Sequence, residues 1–389
     1  MRTKVAIIGS GPAGLLLGHI LGQAGIENII LESRSRDRVR SRVRAGLLEQ
    51  ETVALLDRIG VGRRLKAEGI VHDGITISFD GRRHRIDVTA LTGREVTLYG
   101  QTEVVRDLTD AREAAGAPTV YEAEVVALQD FSTEKPRVVY RNNGQEHELT
   151  CDFILGCDGF HGISRTCIPE RSIQTFERIY PFGWLGVMAD VPRASSDVVY
   201  AAHPRGFSLF SMRTPTRSRC YLQVPADDSI ANWPDDRFWD ELRLRLDPET
   251  AEAVVAAPSV EKAIAPLRSF VAEPMRFGRL MLAGDAAHIV PPTGAKGLNL
   301  AVSDALYLSE ALIEHYDEGS DAGLDGYSSR ALARVWKAER FSWWMTSLLH
   351  AFPDESPFAR RIQEAERNYL VASQAARTVL AENYVGLLH

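Results

Sequence analysis

The sequence predicts a mixed α/β fold: an open parallel sheet comes first, a second β-sheet unit is interleaved with it, and a helical region ends the chain. Three observations support this prediction. The chain opens on a short apolar strand, a glycine-rich turn and a helix. A second strand with a glycine-rich loop follows near residue 280. Between the two, short β-rich segments are separated by turn residues.

Length and composition are those of a folded protein with more than one domain. With 389 residues the chain is long for a single core, so two closely packed domains are expected. The hydrophobic share of 45% and the charged share of 25% argue against a disordered or fibrous chain. The formal net charge of -7 gives no general attraction to nucleic acid or to anionic lipid.

Neither the cysteines nor the apolar N-terminal segment changes this interpretation. Cys151, Cys157, Cys167 and Cys220 form no CxxC pair and have no histidine at zinc spacing, so we expect no metal site and a reduced, cytoplasmic setting. Residues 5–26 carry no charged side chain, which is also typical of a signal peptide or a membrane span. The glycines that interrupt this segment favour strand, turn and helix instead, so we expect no membrane association.

The first β-run ends in a complete GxGxxG pattern at Gly9, Gly11 and Gly14. The first glycine allows a tight turn, the second lets a pyrophosphate approach the backbone, and the third lets helix and strand pack closely. The free N–H groups of the following helix would hold the phosphate. A second β-run, 28–31, ends in Glu32, roughly 20 residues farther on, where a carboxylate suits a ribose hydroxyl. These features predict a Rossmann-like dinucleotide-binding domain rather than a purely structural glycine turn.

A run of alternating arginines follows Glu32. On a strand these side chains would share one face, and on a helix they would form two stripes on nearly opposite sides. A solvated basic face and an RNA-binding patch are the alternatives, but the run is short and lacks aromatic residues. We therefore expect some of these arginines to contact dinucleotide phosphates. The run consists of Arg34, Arg36, Arg38, Arg40, Arg42 and Arg44.

Two later strand ends carry acidic residues next to glycine. The β-run that begins at residue 152 leads to Asp158-Gly159, and the one that begins at residue 279 leads to Gly284-Asp285. A glycine-rich loop follows Asp285, and a helix is predicted from about residue 300 to residue 315. A strand that leads into such a loop and a helix N-terminus can bind phosphate or carbonyl groups. Another helical segment, 102–115, has Gln101 just before its start.

This combination of motifs resembles the single-component FAD-dependent aromatic hydroxylases. GxGxxG, a central Asp-Gly and a late Gly-Asp-x-x-His are together much more specific than any one of them. Within that family the sequence is most similar to the branch that acts on 4-hydroxybenzoate, and the similarity covers essentially the whole chain. The stretches that carry it are 42–50, 99–103, 156–165, 180–186, 203–207, 284–299, 336–346 and 382–386.

The resemblance implies a bound FAD, NAD(P)H as the reductant and O2 as a co-substrate. Such an enzyme would hydroxylate 4-hydroxybenzoate at C3 through a flavin C4a-hydroperoxide, giving 3,4-dihydroxybenzoate (protocatechuate). The flavin would supply the reactivity, and the protein would supply orientation and electrostatics. The residues implied to bind FAD are Gly9, Gly11, Gly14, Glu32, Arg42, Arg44, Gln101, Asp158, Arg219, Asp285, Leu298 and Asn299.

The same resemblance implies a site that removes the phenol proton of the substrate, since a ring reacts with electrophilic oxygen far better as a phenolate. Tyr200 would hydrogen-bond the phenol, with Tyr384 behind it and His72 ending the relay near solvent. A histidine with a pKa of about 6.5 is a better final proton acceptor than a tyrosine with a pKa of about 10. The remaining substrate contacts are implied to be Ser211, Arg213 and Tyr221 at the carboxylate and Pro292 at the phenol, with Arg219 near both flavin and substrate.

Without the resemblance, these residues have plainer interpretations. A lone Tyr200 or Tyr384 is more often part of a half-buried core. His72 would be a surface loop residue, and Arg213 and Arg219, with Arg217, would form a solvated β-face. Only the similarity over the whole chain reverses these expectations.

The expected coenzyme is NADPH, with NADH as the alternative. Arginine is abundant between residues 33 and 40, which favours a 2′-phosphate, although Ser33 stands where the family pattern has arginine. The implied contacts to the nicotinamide nucleotide are Arg34, Arg38, Arg44, His161, Arg165 and Arg268.

The resemblance also divides the chain into domains. Residues 1–70, 98–175 and 268–320 would form the FAD-binding domain, residues 71–97 and 176–267 the substrate-binding β-sheet domain, and residues 321–389 a helical C-terminal region. That region carries a large apolar face, which is either core packing or part of a homodimer interface such as family members have. The face includes Trp336, Phe341, Trp343, Trp344 and Leu348.

Three alternative functions compete with this one. A related substrate, such as 3-hydroxybenzoate or a dihydroxybenzoate, would use the same chemistry. A flavin-binding redox sensor without turnover is less favoured, because a sensor has no need of a relay that deprotonates a phenol. A nucleic-acid-binding protein is supported only by the arginine run, and a salt-dependent shift assay would test it.

Overall fold

A computed structural model describes residues 1–41 and 46–386 of the chain. The strands are β1 (Val5–Ile8), β2 (Asn28–Leu31), β3 (Leu47–Glu49), β4 (Ile70–His72), β5 (Gly74–Phe79), β6 (Arg82–Asp87), β7 (Val96–Leu98), β8 (Thr119–Val120), β9 (Glu124–Gln129), β10 (Arg137–Asn142), β11 (Gln145–Thr150), β12 (Phe153–Gly156), β13 (Gln174–Ala189), β14 (Val198–Ala201), β15 (Ser208–Thr214), β16 (Arg217–Pro225), β17 (Ser259–Glu273), β18 (Arg276–Phe277), β19 (Leu280–Leu282) and β20 (His288–Ile289). The helices are α1 (Pro12–Gln23), α2 (Arg36–Ser41), α3 (Gln50–Arg58), α4 (Arg63–Glu68), α5 (Val88–Thr92), α6 (Gln101–Ala114), α7 (Ile163–Thr166), α8 (Asp235–Arg245), α9 (Pro248–Ala253), α10 (Gly297–Glu318), α11 (Ala322–Leu349), α12 (Pro357–Ala372) and α13 (Gln374–Tyr384).

The first sheet has the order β18-β19-β12-β1-β2-β8. Its central pairs are parallel, with Ile8 beside both Leu31 and Gly156, and only β18 runs antiparallel to its neighbour. The central strands are buried along their whole length, as expected for strands covered on both faces. Because parallel strands end at one edge of a sheet, the segments that follow β1, β2, β12 and β19 meet there. This topology confirms the predicted Rossmann-like sheet.

The second large sheet has the order β20-β17-β13-β16-β15-β14-β5-β6. Strands β5 and β6, from early in the chain, join strands that lie more than a hundred residues later, with Ile77 beside Tyr200. This pairing is the interleaving that the sequence predicts. One face of the sheet packs Phe210 and Leu222 against Trp239 of α8, while the other face packs Leu209 against the helical C-terminal region.

The C-terminal region is helical, as predicted, and its longest helix is α11. Phe341 and Leu348 of α11 are buried beside the second sheet, which confirms core packing for this part of the apolar face. Trp336 and Trp343 are instead among the exposed large apolar residues. No helix within residues 1–41 and 46–386 is long and apolar enough to cross a membrane.

Three local predictions need adjustment. Within the arginine run, Arg36–Ser41 forms the short helix α2, so the strand alternative is wrong there. Gln101 is the first residue of α6 rather than the residue before it. The helix predicted from about residue 300 begins at Gly297 and continues to Glu318.

Candidate active site

The turn after β1 is shaped by its glycines. Gly9 has a φ of +100°, and a Cβ there would lie 2.5 Å from the carbonyl oxygen of Cys157. A Cβ on Gly14 would lie 2.0 Å from the carbonyl oxygen of Gly9, whereas one on Gly11 would meet nothing within 4 Å. Helix α1 starts at Pro12 with no side-chain cap. The turn therefore presents open space and uncapped N–H groups, which suit a pyrophosphate.

Glu32 lies at the end of β2, directly beside this turn. Its Oε2 accepts hydrogen bonds from the backbone N–H and the hydroxyl of Ser10, each at 2.8 Å, and its Oε1 accepts one from the N–H of Arg34 at 2.8 Å. The carboxylate is therefore held in one orientation and still has acceptor capacity for ribose hydroxyls.

Asp158, of the central Asp-Gly motif, follows β12 at the same edge of the sheet. Its Oδ2 accepts hydrogen bonds from the N–H and the hydroxyl of Ser164, both at 2.9 Å. Its Oδ1 is buried and has no partner in the described part of the chain. Burial raises the pKa of this carboxyl group. A buried acceptor without a partner indicates a ligand or a water at this point.

Asp285 is exposed in the 3₁₀ turn Gly284–Ala286, and a second carboxylate holds that turn. The Oδ2 of Asp304, on α10, accepts hydrogen bonds from the N–H of Gly284 at 2.8 Å and from Nε2 of His288 at 2.6 Å. Burial disfavours the charged imidazole, but the facing Asp304 carboxylate raises the pKa of His288. His288 belongs to the late Gly-Asp-x-x-His motif, but its pairing with Asp304 cannot be recognised from the sequence and was missed there.

Asn299 joins the start of α10 to β3 and α3. Its Oδ1 accepts hydrogen bonds from the N–H of Glu49 at 3.0 Å and the hydroxyl of Thr52 at 2.8 Å, and its Nδ2 donates to the carbonyl of Leu47 at 2.9 Å. Protein groups thus occupy this amide side chain, which leaves the backbone of Leu298 and Asn299 for the expected flavin contact. Gln101 is half-buried at the start of α6, and Arg42 and Arg44 lie outside the described residues.

A buried ion cluster of Glu49, Lys296 and Arg334 lies next to Asn299. Lys296 donates from Nζ to Oε1 of Glu49 at 2.7 Å and to the carbonyl of Tyr384 at 2.9 Å, while Arg334 donates to Oε2 of Glu49 at 2.5 Å. Burial opposes ionisation of Glu49, but the two cations hold its pKa below the usual value. This cluster could not be predicted from the sequence, because its members lie far apart along the chain.

Tyr200 and Tyr384 form a buried pair whose hydroxyl oxygens are 3.2 Å apart. Burial raises the pKa of Tyr200 to about 12, and that of Tyr384 is raised well above its ordinary value. His72 is only 3% exposed in β4, so it is not the surface loop residue that its local sequence suggests. Burial lowers the pKa of His72, and its Nε2 has no partner among the described residues.

Asp197 connects His72 electrostatically with the tyrosine pair. Its carboxylate is 4% exposed and acts to raise the pKa of both His72 and Tyr384. It accepts hydrogen bonds from Thr76 at 3.1 Å and from Arg85 at 3.0 Å. Sequence reasoning missed this residue, because nothing in its local pattern separates it from an ordinary surface aspartate.

The other expected substrate residues lie on strands next to Tyr200. Leu209 of β15 is beside Tyr200 of β14 on one side and Tyr221 of β16 on the other. Ser211 and Arg219 form the next pair on the same face, because side chains alternate along a strand, and the Ser211 hydroxyl donates to the Arg219 carbonyl at 2.9 Å. The sheet thus brings Tyr200, Ser211, Arg219 and Tyr221 to one surface.

Two guanidinium groups at this surface have unpaired donors. Arg213 contacts Tyr221, and burial lowers the pKa of Arg213. The Nε of Arg213, and the Nε and Nη1 of Arg219, are buried with no partner within the described ranges. The solvated β-face interpretation is therefore wrong for Arg213 and Arg219. Buried donors without partners are costly, so an anion is expected between them.

Pro292 starts the 3₁₀ turn Pro292–Gly294, and its carbonyl accepts a hydrogen bond from the N–H of Ala295 at 2.9 Å. A carbonyl oxygen has two lone pairs, so this one can accept a second hydrogen bond from a ligand hydroxyl.

The arginines of the run after Glu32 differ in whether their side chains are held in ion pairs or are exposed and able to bind a phosphate. Arg34 and Arg38 are exposed. Neighbouring Arg36 donates two hydrogen bonds to Glu113, at 2.6 and 2.7 Å, and Arg40 forms an ion pair with Asp110. These two ion pairs tie α2 to α6, which leaves Arg34 and Arg38 as the better placed residues for a phosphate.

The structure brings His161, Arg165 and Arg268 together around Phe160. The guanidinium carbons of Arg165 and Arg268 lie 4.7 and 4.4 Å from the centre of the Phe160 ring, and the His161 ring is 5.0 Å away. Arg165 also donates to the carbonyls of Ala286, at 2.9 Å, and Phe160, at 2.6 Å. Arg165 thus braces the Asp285 turn, whereas exposed His161 is free to meet a ligand.

Comparison with known proteins places the chain in a sequence family. Residues 2–342 match the family model described as the FAD binding domain. The p-hydroxybenzoate hydroxylase of Acinetobacter baylyi is 59% identical over 388 residues, which are 100% of this chain and 96% of that protein. A 3-(3-hydroxy-phenyl)propionate/3-hydroxycinnamic acid hydroxylase of a Mycobacterium species is 26% identical over 84% of this chain and 56% of its own length.

Solved structures share the fold. The p-nitrophenol 4-monooxygenase of Pseudomonas putida superimposes with a TM-score of 0.83 over the whole of both chains, at 20% sequence identity. A ternary complex of aklavinone-11 hydroxylase with FAD and aklavinone superimposes with a TM-score of 0.75, at 21% identity, over 90% of this chain and 69% of that chain.

Proposed function

The chain belongs to the p-hydroxybenzoate hydroxylase family of proteins with the FAD binding domain, and from that premise we propose that it hydroxylates 4-hydroxybenzoate at C3. The product is 3,4-dihydroxybenzoate, with FAD as the bound cofactor, and NAD(P)H and O2 as co-substrates. The observation that carries the proposal is a sheet surface with Tyr200, paired with Tyr384 of α13, at one place and, at another, guanidinium donors that have no partner among the described residues. A phenol with a carboxylate para to it matches both.

The described residues fit FAD. The open glycine turn and the N-terminus of α1 suit its pyrophosphate, Glu32 suits the adenosine ribose, and Asp285 suits the ribityl chain. The backbone at Leu298 and Asn299, at the start of α10, would contact the flavin ring, where a helix N-terminus stabilises negative charge. When bound, FAD supplies the redox chemistry that takes electrons from NAD(P)H and activates O2.

Arg213, Ser211 and Tyr221 bind and orient the substrate carboxylate. A guanidinium can pair with a carboxylate through two parallel hydrogen bonds, and such a pair would satisfy the Arg213 Nε, which has no partner among the described residues. Arg219 adds a second positive group, since its guanidinium carbon lies 5.3 Å from the centre of the Tyr221 ring. This anchoring fixes which ring carbon faces the flavin.

Tyr200 and Tyr384 move the phenol proton of the substrate away from the ring. Burial raises the pKa of Tyr200 to about 12, so this residue acts as a hydroxyl that passes a proton on and not as a base. The Pro292 carbonyl holds the substrate hydroxyl in line with this pair. His72, whose pKa burial lowers, is neutral near pH 7 and can accept the proton at the end of the relay.

Coenzyme, assembly and location follow from the same premise. NADPH is preferred over NADH, because exposed Arg34 and Arg38 suit a 2′-phosphate. His161 and Arg268 contribute to the same coenzyme site, with Arg165 bracing it. A homodimer in the cytoplasm completes the proposal, as does the three-part domain division given above.

The test is product analysis with a set of aromatic acids. Purified, FAD-loaded protein is supplied with NADPH in air and with 4-hydroxybenzoate, 3-hydroxybenzoate or 2,4-dihydroxybenzoate, and the products are separated by chromatography. The proposal predicts 3,4-dihydroxybenzoate from the first acid and much slower turnover of the others. Preferred turnover of another acid would move the function to that substrate, and no oxidation with any acid would contradict monooxygenase activity.

A further inference from the structure

An aromatic cluster of Phe182, Trp184, Phe207 and His350 lies next to the proposed carboxylate site. Each member is at most 4% exposed, so the cluster is a closed part of the interior. Phe182 and Trp184 belong to β13, Phe207 precedes β15, and His350 caps the end of α11. The cluster thus joins the second sheet to the C-terminal helices.

One hydrogen bond fixes the protonation of the histidine in this cluster. The indole N–H of Trp184 donates to Nε2 of His350 at 2.7 Å. An indole can only donate, so Nε2 must be the unprotonated nitrogen. The proton is then on Nδ1, which donates to the carbonyl of Thr346 at 3.0 Å. Burial lowers the pKa of His350 to about 3, which keeps this arrangement at every ordinary pH.

The position of His350 is itself fixed from several sides. Its ring stacks on Phe207, with centroids 4.4 Å apart, and on Phe182, with centroids 4.8 Å apart. The next residue, Ala351, is held by Gln223 of β16, whose amide donates to its carbonyl at 2.5 Å and accepts from its N–H at 3.1 Å. The imidazole is therefore a rigid acceptor for the indole.

The cluster contacts both tyrosines that the proposed function assigns to the substrate. The Trp184 ring lies 5.0 Å from the Tyr221 ring and 5.0 Å from the Phe207 ring. The Phe207 ring in turn lies 6.3 Å from the Tyr200 ring. The orientation of the indole therefore bears directly on Tyr221 and, through Phe207, on Tyr200.

We propose that His350 is a positioning residue for substrate recognition, which fixes the plane of the Trp184 indole and keeps its N–H directed away from the substrate. The inference rests on the proposed function and deepens it, because it identifies what makes this wall of the site apolar. With the N–H bound to His350, Trp184 presents only ring surface next to Tyr221. A ring that carries an additional polar group on that side finds no donor there and is disfavoured.

Four variants of the FAD-loaded enzyme test this role. His350→Leu removes the acceptor, whereas the side-chain oxygen of His350→Gln can still accept from Trp184 and its amide can still donate to Thr346. Trp184→Phe keeps a ring but removes the donor. Trp239→Phe is the matched control, since Trp239 is equally buried and donates to the carbonyl of Ala257 at 2.8 Å on the opposite face of the sheet.

Two readouts are combined. The dissociation constant of 4-hydroxybenzoate is measured at equilibrium, and fluorine NMR of fluorotryptophan-labelled protein reports the indole, with the Trp184 signal assigned by its loss in Trp184→Phe. His350→Leu is expected to shift that signal and to weaken substrate binding about tenfold, as follows if the released indole is in the binding-competent orientation only about one tenth of the time. His350→Gln is expected to stay within about threefold of the wild type, and Trp239→Phe to leave binding unchanged.

A double-mutant cycle completes the test. Combining His350→Leu with Trp184→Phe is expected to cost less than the sum of the single changes, because both remove the same interaction. The inference is overturned if His350→Leu retains FAD and binds substrate as the wild type does, or if His350→Gln is no better than His350→Leu. If His350→Leu does not fold, Trp184→Phe and His350→Gln decide. Wild-type affinity in Trp184→Phe, or a Trp184 signal displaced from its wild-type position in His350→Gln, contradicts the role.

Failure of the proposed function would look different. A wild-type enzyme that binds no 4-hydroxybenzoate contradicts the substrate assignment, while the fluorine signal of Trp184 still reports whether His350 holds the indole. If the wild-type enzyme binds 4-hydroxybenzoate but the effects of His350→Leu and Trp184→Phe on that binding simply add, only the positioning role is contradicted.

Discussion

Tyr200 and Tyr384 show how burial changes the role of an ordinary side chain. In water a phenol loses its proton at a pKa of about 10, whereas burial raises the pKa of Tyr200 to about 12. A hydroxyl that stays protonated can accept a proton only while it gives one away, which requires a partner within hydrogen-bond distance. Tyr384 is that partner, at 3.2 Å.

The first prediction concerns this pair. Tyr384→Phe removes the second hydroxyl, and the rate of hydroxylation is expected to fall about a hundred- to ten-thousand-fold, the usual contribution of a positioned proton-transfer group. The dissociation constant of 4-hydroxybenzoate should change little. Tyr316→Phe is the control, because the Tyr316 hydroxyl donates to Asp152 at 3.1 Å, at the start of β12 and so at the edge of the first sheet opposite to the glycine turn. Equal losses in the two variants would contradict a specific relay.

The second prediction concerns the carboxylate of the substrate. Arg213→Lys keeps a positive charge but loses the planar pair of donors, so 4-hydroxybenzoate is expected to bind about ten- to a hundredfold more weakly. Binding of 4-hydroxybenzamide, which has no carboxylate, should change much less. Arg217→Lys is the control on the neighbouring strand β16, because Arg217 pairs with Asp190 at the surface. Unchanged affinity for the acid in Arg213→Lys would mean that another group holds the carboxylate.

At the scale of elements, two glycines of the turn after β1 have different roles: Gly14 is needed for packing, whereas Gly11 leaves space for a ligand. A Cβ on Gly14 would meet the Gly9 carbonyl at 2.0 Å, so Gly14→Ala must displace α1 from β1. A Cβ on Gly11 meets nothing within 4 Å and would meet only a bound ligand.

The third prediction follows from this contrast. Gly14→Ala is expected to lower both the thermal stability of the apoprotein and its affinity for FAD. Gly11→Ala is expected to keep the apoprotein stable while weakening FAD binding, as measured by quenching of flavin fluorescence. If FAD binds to Gly11→Ala as tightly as to the wild type, the pyrophosphate does not lie against this turn.

The Glu49 cluster joins four elements, since β3, α11, the start of α10 and the end of α13 all contribute to it. The pKa of Glu49 is lowered by Lys296 and Arg334 against the effect of burial. A carboxyl group with a lowered pKa in the folded state stabilises the protein above its unfolded value of 4.5, and the stability is lost as pH falls through the folded pKa.

The fourth prediction follows from this dependence of stability on pH. Glu49→Gln is expected to destabilise the protein by about 3–5 kcal/mol near neutral pH, because it leaves two cations without their shared carboxylate. The difference in stability from the wild type should shrink below pH 4.5, where the unfolded wild type takes up the proton. Denaturant unfolding at several pH values measures this. Glu51→Gln is the control, because Glu51 is exposed. A difference that does not depend on pH would contradict the assigned ionisation.

For the whole molecule, features that depend on local pattern could be predicted from the sequence. The strand, the glycine turn and Glu32 lie within a single unit, and their spacing alone indicates a nucleotide site. Tyr200, Ser211, Arg213 and Tyr221 were implied by resemblance, and the sheet register places Tyr200, Ser211 and Tyr221 on adjacent strands. The first site could be predicted from local spacing alone, whereas the second required the resemblance, because its residues lie on three different strands.

What could not be predicted depends on partners far along the chain. Arg36 is hydrogen-bonded to Glu113, which lies on another helix. His72 is buried because β4 pairs with β7 inside the molecule. The acceptor of Trp184 is His350, 166 residues away. Burial and pairing of this kind arise from tertiary packing, which leaves no periodic signal in one sequence.

The most direct test of the account compares NADPH oxidation with product formation in air. FAD-loaded protein is mixed with NADPH, with and without 4-hydroxybenzoate, and the NADPH consumed is compared with the 3,4-dihydroxybenzoate formed. We predict that the substrate strongly stimulates oxidation and that one product molecule forms for each NADPH. Fast oxidation that yields only hydrogen peroxide, or no oxidation at all, would contradict the central claim.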